Sequence, residues 1–242
     1  VAERERLAEE ATRLAVLEQM DEQRSALLRS VSHDLRTPLA TIRAVTSDLR
    51  AGVTYDEATR DDLLDLVGDE AERLDRIVAN LLSLSRIEAG ALQPDRQAVS
   101  VEELVTERVR RSSPLFRRVR VQVDMPADLP LVDADYSQLD QVVTNLLENA
   151  ARYSPQGSTV LIGARRRDTM VEVWVADEGI GVATFDRSRI FEPFRRGEGS
   201  NSSGIGLAIC KAVVEAHGGM IDVQTNPGGG AKFGFTVPVR RD

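Results

Sequence analysis

Residues 32–39 read Ser32-His33-Asp34-Leu35-Arg36-Thr37-Pro38-Leu39, and apolar positions around them recur every three or four residues. This spacing predicts an amphipathic helix with one buried stripe. The residues of the stripe are Val31, Leu35, Leu39, Ile42, Val45 and Leu49. At about 100° per residue, His33 lies nearly opposite the mean direction of this stripe. The pattern therefore predicts a histidine that is presented to solvent and not packed in a core.

The composition is that of an acidic protein with enough apolar residues to fold. Of its 242 residues 42% are hydrophobic, and its formal net charge of −8 argues against general nucleic-acid binding, which needs a basic surface. The single cysteine, Cys210, excludes an internal disulfide, and two histidines make a zinc site improbable. Since the chain has no initiator Met, no signal-peptide pattern and no bilayer-length apolar run, we expect a soluble, cytoplasmic part of a longer protein.

Residues 1–30 carry apolar side chains at roughly heptad spacing among many charges. This pattern predicts a coiled-coil helix over residues 1–23 that continues into the His33 helix. A helix packed on its own domain is the alternative, but little upstream sequence is present to cover the stripe. The His33 helix should end near Ala51-Gly52, because glycine is a common stop signal.

A second helix is predicted over Asp61–Glu88, where apolar residues keep close to a 3.5-residue spacing. These residues are Leu63, Val67, Ala71, Leu74, Val78, Leu81 and Leu84. Two antiparallel helices with one apolar stripe each form only half of a closed core. A homodimer that pairs them into a four-helix bundle would bury both stripes, so we expect a homodimer.

Beyond a short break at Gly90–Pro94, helical and strand-like segments alternate. The predicted helices are Val101–Ser112, Tyr136–Tyr153 and Gly206–Ala216. The predicted strands are Val119–Val123, Thr159–Ala164, Met170–Ala176, Met220–Thr225 and Ala231–Pro238. Adjacent strands joined by short turns indicate a mixed sheet covered by helices on one face, which is an α+β sandwich.

The segment around His33 has the groups for phosphoryl chemistry. A solvent-facing neutral imidazole can attack a phosphorus centre. Asp34 can orient the ring or take its proton, and Thr37, one turn on, can position a water molecule. On these residues alone an ordinary surface histidine remains an open alternative.

The segment Asn145–Tyr153 predicts a helix with one polar face. Asn145, Glu148, Asn149 and Arg152 fall on that face at positions i, i+3, i+4 and i+7. Amide oxygens suit a hard cation such as Mg²⁺, and an arginine can meet a phosphate. The alternative is a solvated amphipathic helix.

Two further segments offer groups for a nucleotide. Asp177-Glu178-Gly179-Ile180-Gly181 follows a predicted strand, and a carboxylate there can accept a hydrogen bond from an amino group such as adenine N6; a plain turn is the alternative. The segment Gly199–Leu207 feeds a helix start, whose backbone N–H groups suit phosphates. Phe191 and Phe194 can clamp this loop, with Arg195 or Arg196 facing phosphate; an ordinary surface loop with core aromatics is the alternative.

In this order and spacing, the four segments resemble the H, N, G1 and F/G2 boxes of the cytoplasmic transmitter region of two-component sensor histidine kinases, over residues 24–240. The resemblance implies that ATP and Mg²⁺ support autophosphorylation of His33, followed by transfer to an aspartate of a response regulator receiver domain. It also implies an ATP-binding domain of the type shared with DNA gyrase. The implied domains are a signalling helix over 1–23, a dimerisation and phosphoacceptor domain over 24–90, a linker over 91–97 and a catalytic domain over 98–242.

The resemblance also implies roles for single residues. His33, Asp34 and Thr37 match the catalytic positions, Asn149 the Mg²⁺ ligand, and Asp177 the adenine contact. The implied nucleotide-binding residues are Asn145, Glu148, Asn149, Arg152, Tyr153, Asp177, Gly179, Gly181, Phe194, Arg195, Ser203, Gly204, Ile205, Gly206 and Leu207.

The sequence departs from the family pattern at three positions. Arg152 stands where lysine is common, Ser202 replaces the opening glycine of the phosphate loop, and Asp34 replaces the more frequent glutamate. The second histidine, His217, precedes Gly218 at a predicted helix end and is interpreted as a C-terminal cap.

The four segments are compatible with three functions. A histidine kinase, possibly with phosphatase activity towards the phosphorylated regulator, accounts for all four segments. A nucleotide-binding regulatory module that acts mainly as a phosphatase is favoured by Ser202 but opposed by His33 and Asp34. A gyrase-like ATPase leaves the His33 helices unexplained. The expected partners are a second copy of the chain and a response regulator, and no nucleic acid is expected to bind. Attachment to a membrane is expected only through an N-terminal sensor region of a longer parent protein, if at all.

Overall fold

The computed structural model describes residues 29, 31–32, 34–193, 195 and 204–241. The predicted coiled coil over 1–23 and His33 itself lie outside these described residues. The described residues divide into two compact units, one ending at Ala79 and the other comprising residues 80–195 and 204–241.

The first unit contains the helix α1 over residues 34–50 and the greater part, up to Ala79, of the helix α2 over Glu57–Glu88. Gly52 follows α1 with a φ of 76°, which agrees with the predicted stop. Asp56 caps α2, because its Oδ1 accepts a hydrogen bond from the Thr59 N–H (2.8 Å) and its Oδ2 accepts one from the Thr59 hydroxyl (3.1 Å). The helix therefore begins four residues before the predicted Asp61.

The last turns of α2, from Asn80 on, belong to the second unit. Leu84 is buried, and Gln141 is hydrogen-bonded to two polar side chains of these turns. Gln141 Oε1 accepts a hydrogen bond from the Ser83 hydroxyl (3.0 Å), and Gln141 Nε2 donates to Asn80 Oδ1 (2.9 Å). These two bonds attach the end of α2 to the helix that carries Gln141.

The second unit is built on a mixed sheet. Its strands are β1 (Gln97–Val99), β2 (Arg120–Asp124), β3 (Val132–Ala134), β4 (Thr159–Arg167), β5 (Met170–Ala176), β6 (Ile221–Thr225) and β7 (Ala231–Pro238). Within the described part of the chain, five of them form one sheet in the order β2-β4-β5-β7-β6, with β2 and β4 parallel and the other pairs antiparallel. The strands β1 and β3 form a separate antiparallel pair that was not predicted.

Helices α3 (Val101–Arg111), α4 (Tyr136–Tyr153) and α5 (Gly206–Ala216) accompany this sheet. Their apolar residues are buried together with the alternate strand residues of one sheet face, which form the core of the unit. The core includes Leu104, Val105, Leu139, Leu146, Leu147, Ile209, Val213, Val160, Ile162, Val173, Phe233 and Phe235. The predicted fold class, a helical region followed by an α/β sandwich, is confirmed.

His217 occupies the C-cap position of α5 and is fully buried. Its Nδ1 lies 2.8 Å from the Val213 carbonyl, and its Nε2 accepts a hydrogen bond from the Asp135 N–H (3.0 Å) at the start of α4. This pairing requires a neutral ring that is protonated on Nδ1. His217 therefore joins the end of α5 to the start of α4, in addition to the capping role that the sequence predicts.

A helix must be both long and apolar to cross a bilayer, and the described helices differ from that pattern. None of them meets both conditions.

Candidate functional site

Asp177 follows β5 directly and is 3% exposed. Its Oδ1 accepts hydrogen bonds from the N–H groups of Gly179 (2.8 Å) and Ala231 (3.2 Å). Burial raises the pKa of this carboxyl group, and the two backbone hydrogen bonds oppose the shift. Its Oδ2 accepts no hydrogen bond from the described residues, so one carboxylate oxygen is fixed and the other is left for a ligand.

Glycines allow three chain segments to meet at Asp177. A Cβ on Gly179 would lie 2.5 Å from the Tyr153 carbonyl oxygen at the end of α4. Gly230 has a φ of 87°, and a Cβ there would overlap the Asp177 carbonyl oxygen. A Cβ on Gly181, whose φ is 72°, would lie 3.1 Å from the Gly230 carbonyl oxygen. These close approaches require glycine, and they fix the Asp177 loop between α4 and the turn before β7.

Three residues of this loop environment were not predicted. Asn226 donates through Nδ2 to the Asp177 carbonyl oxygen (2.9 Å), and Ala231 donates its N–H to the carboxylate. Gly230 provides the space for both contacts. The only sequence signal for these residues is the run Gly228-Gly229-Gly230 ahead of β7. This run predicts a turn, but it does not predict that the turn contacts the Asp177 loop.

The polar face of α4 lies as the sequence predicts. Glu148 and Asn149 are half-buried and Arg152 is exposed, whereas the opposite face of the helix is in the core. The Asn149 amide makes no hydrogen bond with any described residue. It is therefore available to a ligand at the same end of α4 as Tyr153, which contacts the Asp177 loop.

Asn145, one turn earlier, is engaged within the protein. Its Nδ2 donates a hydrogen bond to the Gly206 carbonyl oxygen (3.2 Å) in the first turn of α5. Gly204 precedes this turn with a φ of 69°, and Ile205 at the N-cap position is buried and provides no side-chain cap. Among the residues that the structure describes, the start of α5 therefore offers backbone N–H groups without a side-chain acceptor, which suits an anion such as phosphate.

The other predicted site residues are only partly described. Phe194 and Ser203 lie outside the described residues, as does His33. Arg195 is half-buried and its Nε donates to Glu192 (3.3 Å). On α1, Asp34 is 8% exposed and Thr37 is exposed. The described candidate residues of the second unit therefore lie in two groups, one around Asp177 and one at the start of α5.

Two family models match this chain. Residues 23–90 match the His Kinase A (phospho-acceptor) domain, and residues 134–241 match the Histidine kinase-, DNA gyrase B-, and HSP90-like ATPase. The sensor protein KdpD of Clostridium acetobutylicum is 38% identical, over 98% of this chain and 27% of that protein. The sensor-like histidine kinase SenX3 of Mycobacterium tuberculosis is 35% identical, over 96% of this chain and 60% of that protein.

A solved structure agrees with these matches. The mycobacterial sensor histidine kinase MprB has a TM-score of 0.56 and 30% identity, covering 61% of this chain and 99% of that one. The chain therefore belongs to the sensor histidine kinases. It spans 27% and 60% of the length of the two curated relatives named above.

Proposed function

We propose that this chain uses ATP to phosphorylate its own His33 and then passes the phosphoryl group to an aspartate of a response regulator in two-component signalling. The observation that carries the proposal is the buried Asp177 carboxylate, whose Oδ1 is fixed by two backbone N–H groups. Its Oδ2 is suited to accept a hydrogen bond from the N6 amino group of adenine. The family match over residues 23–90 supports His33 as the acceptor.

The triphosphate is proposed to bind at the start of α5. Gly204 and Gly206 flank backbone N–H groups that have no side-chain cap among the described residues. Arg152 and Arg195 are proposed to supply positive charge for the phosphates. Because the Ile205 side chain is buried, that residue can contribute only its backbone. The remaining residues that we assign to the nucleotide site are Asn145, Glu148, Tyr153, Gly179, Gly181, Phe194, Ser203 and Leu207.

The Asn149 amide fits Mg²⁺. Its side chain is half-buried on α4 and has no hydrogen bond with the described residues, so its oxygen is available to a hard cation. When bound, Mg²⁺ supplies neutralisation of the phosphate charge. Asn149 would hold it with one protein oxygen, which is the usual arrangement when phosphates and water complete the coordination.

In the proposed reaction the neutral His33 imidazole attacks the γ-phosphorus of ATP. A nitrogen–phosphorus bond forms, the bond from phosphorus to the bridging oxygen breaks, and ADP leaves. Asp34, beside His33, is proposed to orient the ring or accept its proton. Thr37, exposed one turn further on, is proposed to position a water molecule when the phosphorylated regulator is hydrolysed. The phosphoramidate is then attacked by the regulator's aspartate.

A homodimer is proposed from the apolar residues that one chain leaves exposed. Leu39, Leu64 and Val78 on α1 and α2 are 49%, 48% and 46% exposed. A second copy would cover them in a four-helix bundle. The domain limits proposed are 24–90 for this region, 91–97 for the linker and 98–242 for the catalytic domain, after a signalling helix over 1–23. Attachment to a membrane is proposed only for a longer parent protein.

The experiment is incubation with γ-labelled ATP and Mg²⁺. We expect protein-bound label that is acid-labile and base-stable, as a phosphoramidate is, and we expect His33→Ala to abolish it. Asp177→Asn serves as a second variant that should lose label because it binds ATP poorly. Label that survives in His33→Ala would contradict the proposal. The absence of label, together with dephosphorylation of a regulator, would favour the mainly phosphatase alternative, which the family matches do not favour.

A further inference from the structure

Asn145 and Asn149 lie one turn apart on the polar face of α4, but their surroundings differ. The Asn149 amide has no hydrogen bond with the described residues. The Asn145 Nδ2 donates to the Gly206 carbonyl oxygen (3.2 Å), and its Cγ would lie 3.5 Å from a Cβ built on Gly206. Asn145 is therefore packed against the first turn of α5, whereas Asn149 is open to a ligand.

Cys210 makes a second contact between α4 and α5. Cys210, one turn after Gly206, is fully buried, and its thiol lies 3.8 Å from the Val142 carbonyl oxygen on α4. Burial raises the pKa of this thiol to about 12, and a hydrogen bond from the Asn145 side chain opposes the shift. The first two turns of α5 are therefore both held close to α4, at Gly206 by the Asn145 side chain and at Cys210 by the Val142 carbonyl.

The position of this turn matters for phosphate binding. The start of α5 has no side-chain cap within the described part of the chain, so the direction of its N–H groups depends on how the backbone of this turn is positioned. The only polar side chain that the structure shows holding the Gly206 backbone, within the described residues, is Asn145. A small shift of this turn would misplace several N–H donors at once.

We propose that Asn145 is a positioning residue that holds the first turn of α5 against α4 through Gly206, and that it is not a ligand of Mg²⁺. This inference rests on the proposed function, since it concerns the phosphate-binding end of the same site. A substitution that removes the amide donor deletes one neutral hydrogen bond. We expect this to lower the affinity for ATP by roughly 5- to 10-fold.

The test compares Asn145→Asp with Asn149→Asp. A carboxylate cannot donate to the Gly206 carbonyl oxygen, but it is a good Mg²⁺ ligand. We expect Asn145→Asp to weaken ATP binding by the same factor with and without Mg²⁺. The matched variant Asn149→Asp should instead change the Mg²⁺ dependence of binding.

Cys210 provides a second readout, because it is the only cysteine in the chain and is buried against α4, one turn after Gly206. Its rate of alkylation by a maleimide, without nucleotide, reports how often the start of α5 opens. We expect Asn145→Asp and the uncharged variant Asn145→Ala to raise this rate by roughly 5-fold or more, with little change in the global unfolding midpoint. Asn149→Asp should leave it unchanged, and ATP should slow it in the wild-type chain.

Three results would overturn the inference. One is an unchanged alkylation rate in both Asn145 variants. Another is tighter Mg²⁺-dependent binding in Asn145→Asp, which would identify a metal ligand. The third is an alkylation rate that rises only as far as global stability falls. If the wild-type chain binds no nucleotide, the proposed function fails, but the alkylation of the nucleotide-free variants still decides whether Asn145 holds α5.

Discussion

Replacing Asp177 with asparagine removes one charge from the buried loop after β5 while keeping its shape. The amide oxygen can still accept the N–H groups of Gly179 and Ala231, which now bond Oδ1 at 2.8 Å and 3.2 Å. The amide nitrogen then replaces Oδ2, the oxygen that is proposed to accept the amino group of adenine. The substitution therefore turns an acceptor into a donor at one atom of the site.

The size of the effect follows from the bond that is lost. A hydrogen bond to a charged group contributes about 1.5–3 kcal/mol, which corresponds to a roughly 10- to 150-fold increase in Kd for ADP or ATP. The new amide donor can instead meet the carbonyl oxygen O6 of an inosine nucleotide. We therefore expect the preference for adenine over hypoxanthine to shrink or reverse.

The Asp177→Asn substitution should lower the nucleotide affinity without lowering the stability of the fold. Burial raises the pKa of Asp177 above its ordinary value of 3.8, so the folded protein favours the neutral acid more than the unfolded chain does. The associated stability is present below about pH 3.8 and is lost as pH rises through the folded pKa. At pH 7 the ionised carboxylate therefore costs stability, and Asp177→Asn should unfold at the same temperature as the wild type or higher.

Titration calorimetry with ADP and IDP, together with thermal unfolding at pH 7, measures both effects. The wild-type chain in the same buffer is the reference. An ADP affinity within twofold of the wild type would refute the assignment of Asp177 to adenine. A clear fall in the unfolding temperature would refute the argument that the charge itself costs stability.

Three further substitutions test other parts of the structure. Gly230→Ala should lower the free energy of unfolding by at least about 1–2 kcal/mol in a urea titration, because the φ of Gly230 is 87° and a Cβ would overlap the Asp177 loop. Gly228→Ala is the control. Its Cβ would meet no neighbour within 4 Å, so the free energy of unfolding should hardly change. Burial lowers the pKa of His217, so the unfolded chain binds the proton more readily and the free energy of unfolding should fall as pH drops below about 6.5. His217→Gln should flatten this pH dependence between about pH 7.5 and 5.5. An unchanged slope of the unfolding free energy against pH would contradict the argument. Gln141→Ala removes both hydrogen bonds to the end of α2, so amide hydrogen exchange over residues 80–88 should accelerate, while exchange in β5 stays the same.

Local patterns predicted the longer elements well. The bounds of α4, α5, β5 and β7 agree with the prediction, because each has a sustained apolar periodicity with clear ends. The pair of β1 and β3 was missed, since three residues are too few to show an alternation. The start of α2 was placed late because Asp56 was not recognised as its cap.

The candidate site was predicted to the extent that its residues lie in one segment. The polar face of α4 and the carboxylate after β5 were both visible in the sequence, because helical spacing and a strand end are local properties. The partners of Asp177 were not visible, since Ala231 and Asn226 lie about fifty residues further along the chain. The engagement of Asn145 with α5 was missed for the same reason, as Gly206 is 61 residues away.

The sequence by itself thus determined which elements form and which side chains carry charge or amide groups, because backbone periodicity and residue chemistry are local. The tertiary structure decided how those groups differ in use. Packing of α4, the Asp177 loop and the turn before β7 fixes one carboxylate oxygen and leaves the other without a hydrogen bond from any described residue. It also distinguishes Asn145, which donates to Gly206 of α5, from Asn149, which has no hydrogen bond with the described residues, because hydrogen-bond partners are set by contacts that only the folded chain brings together.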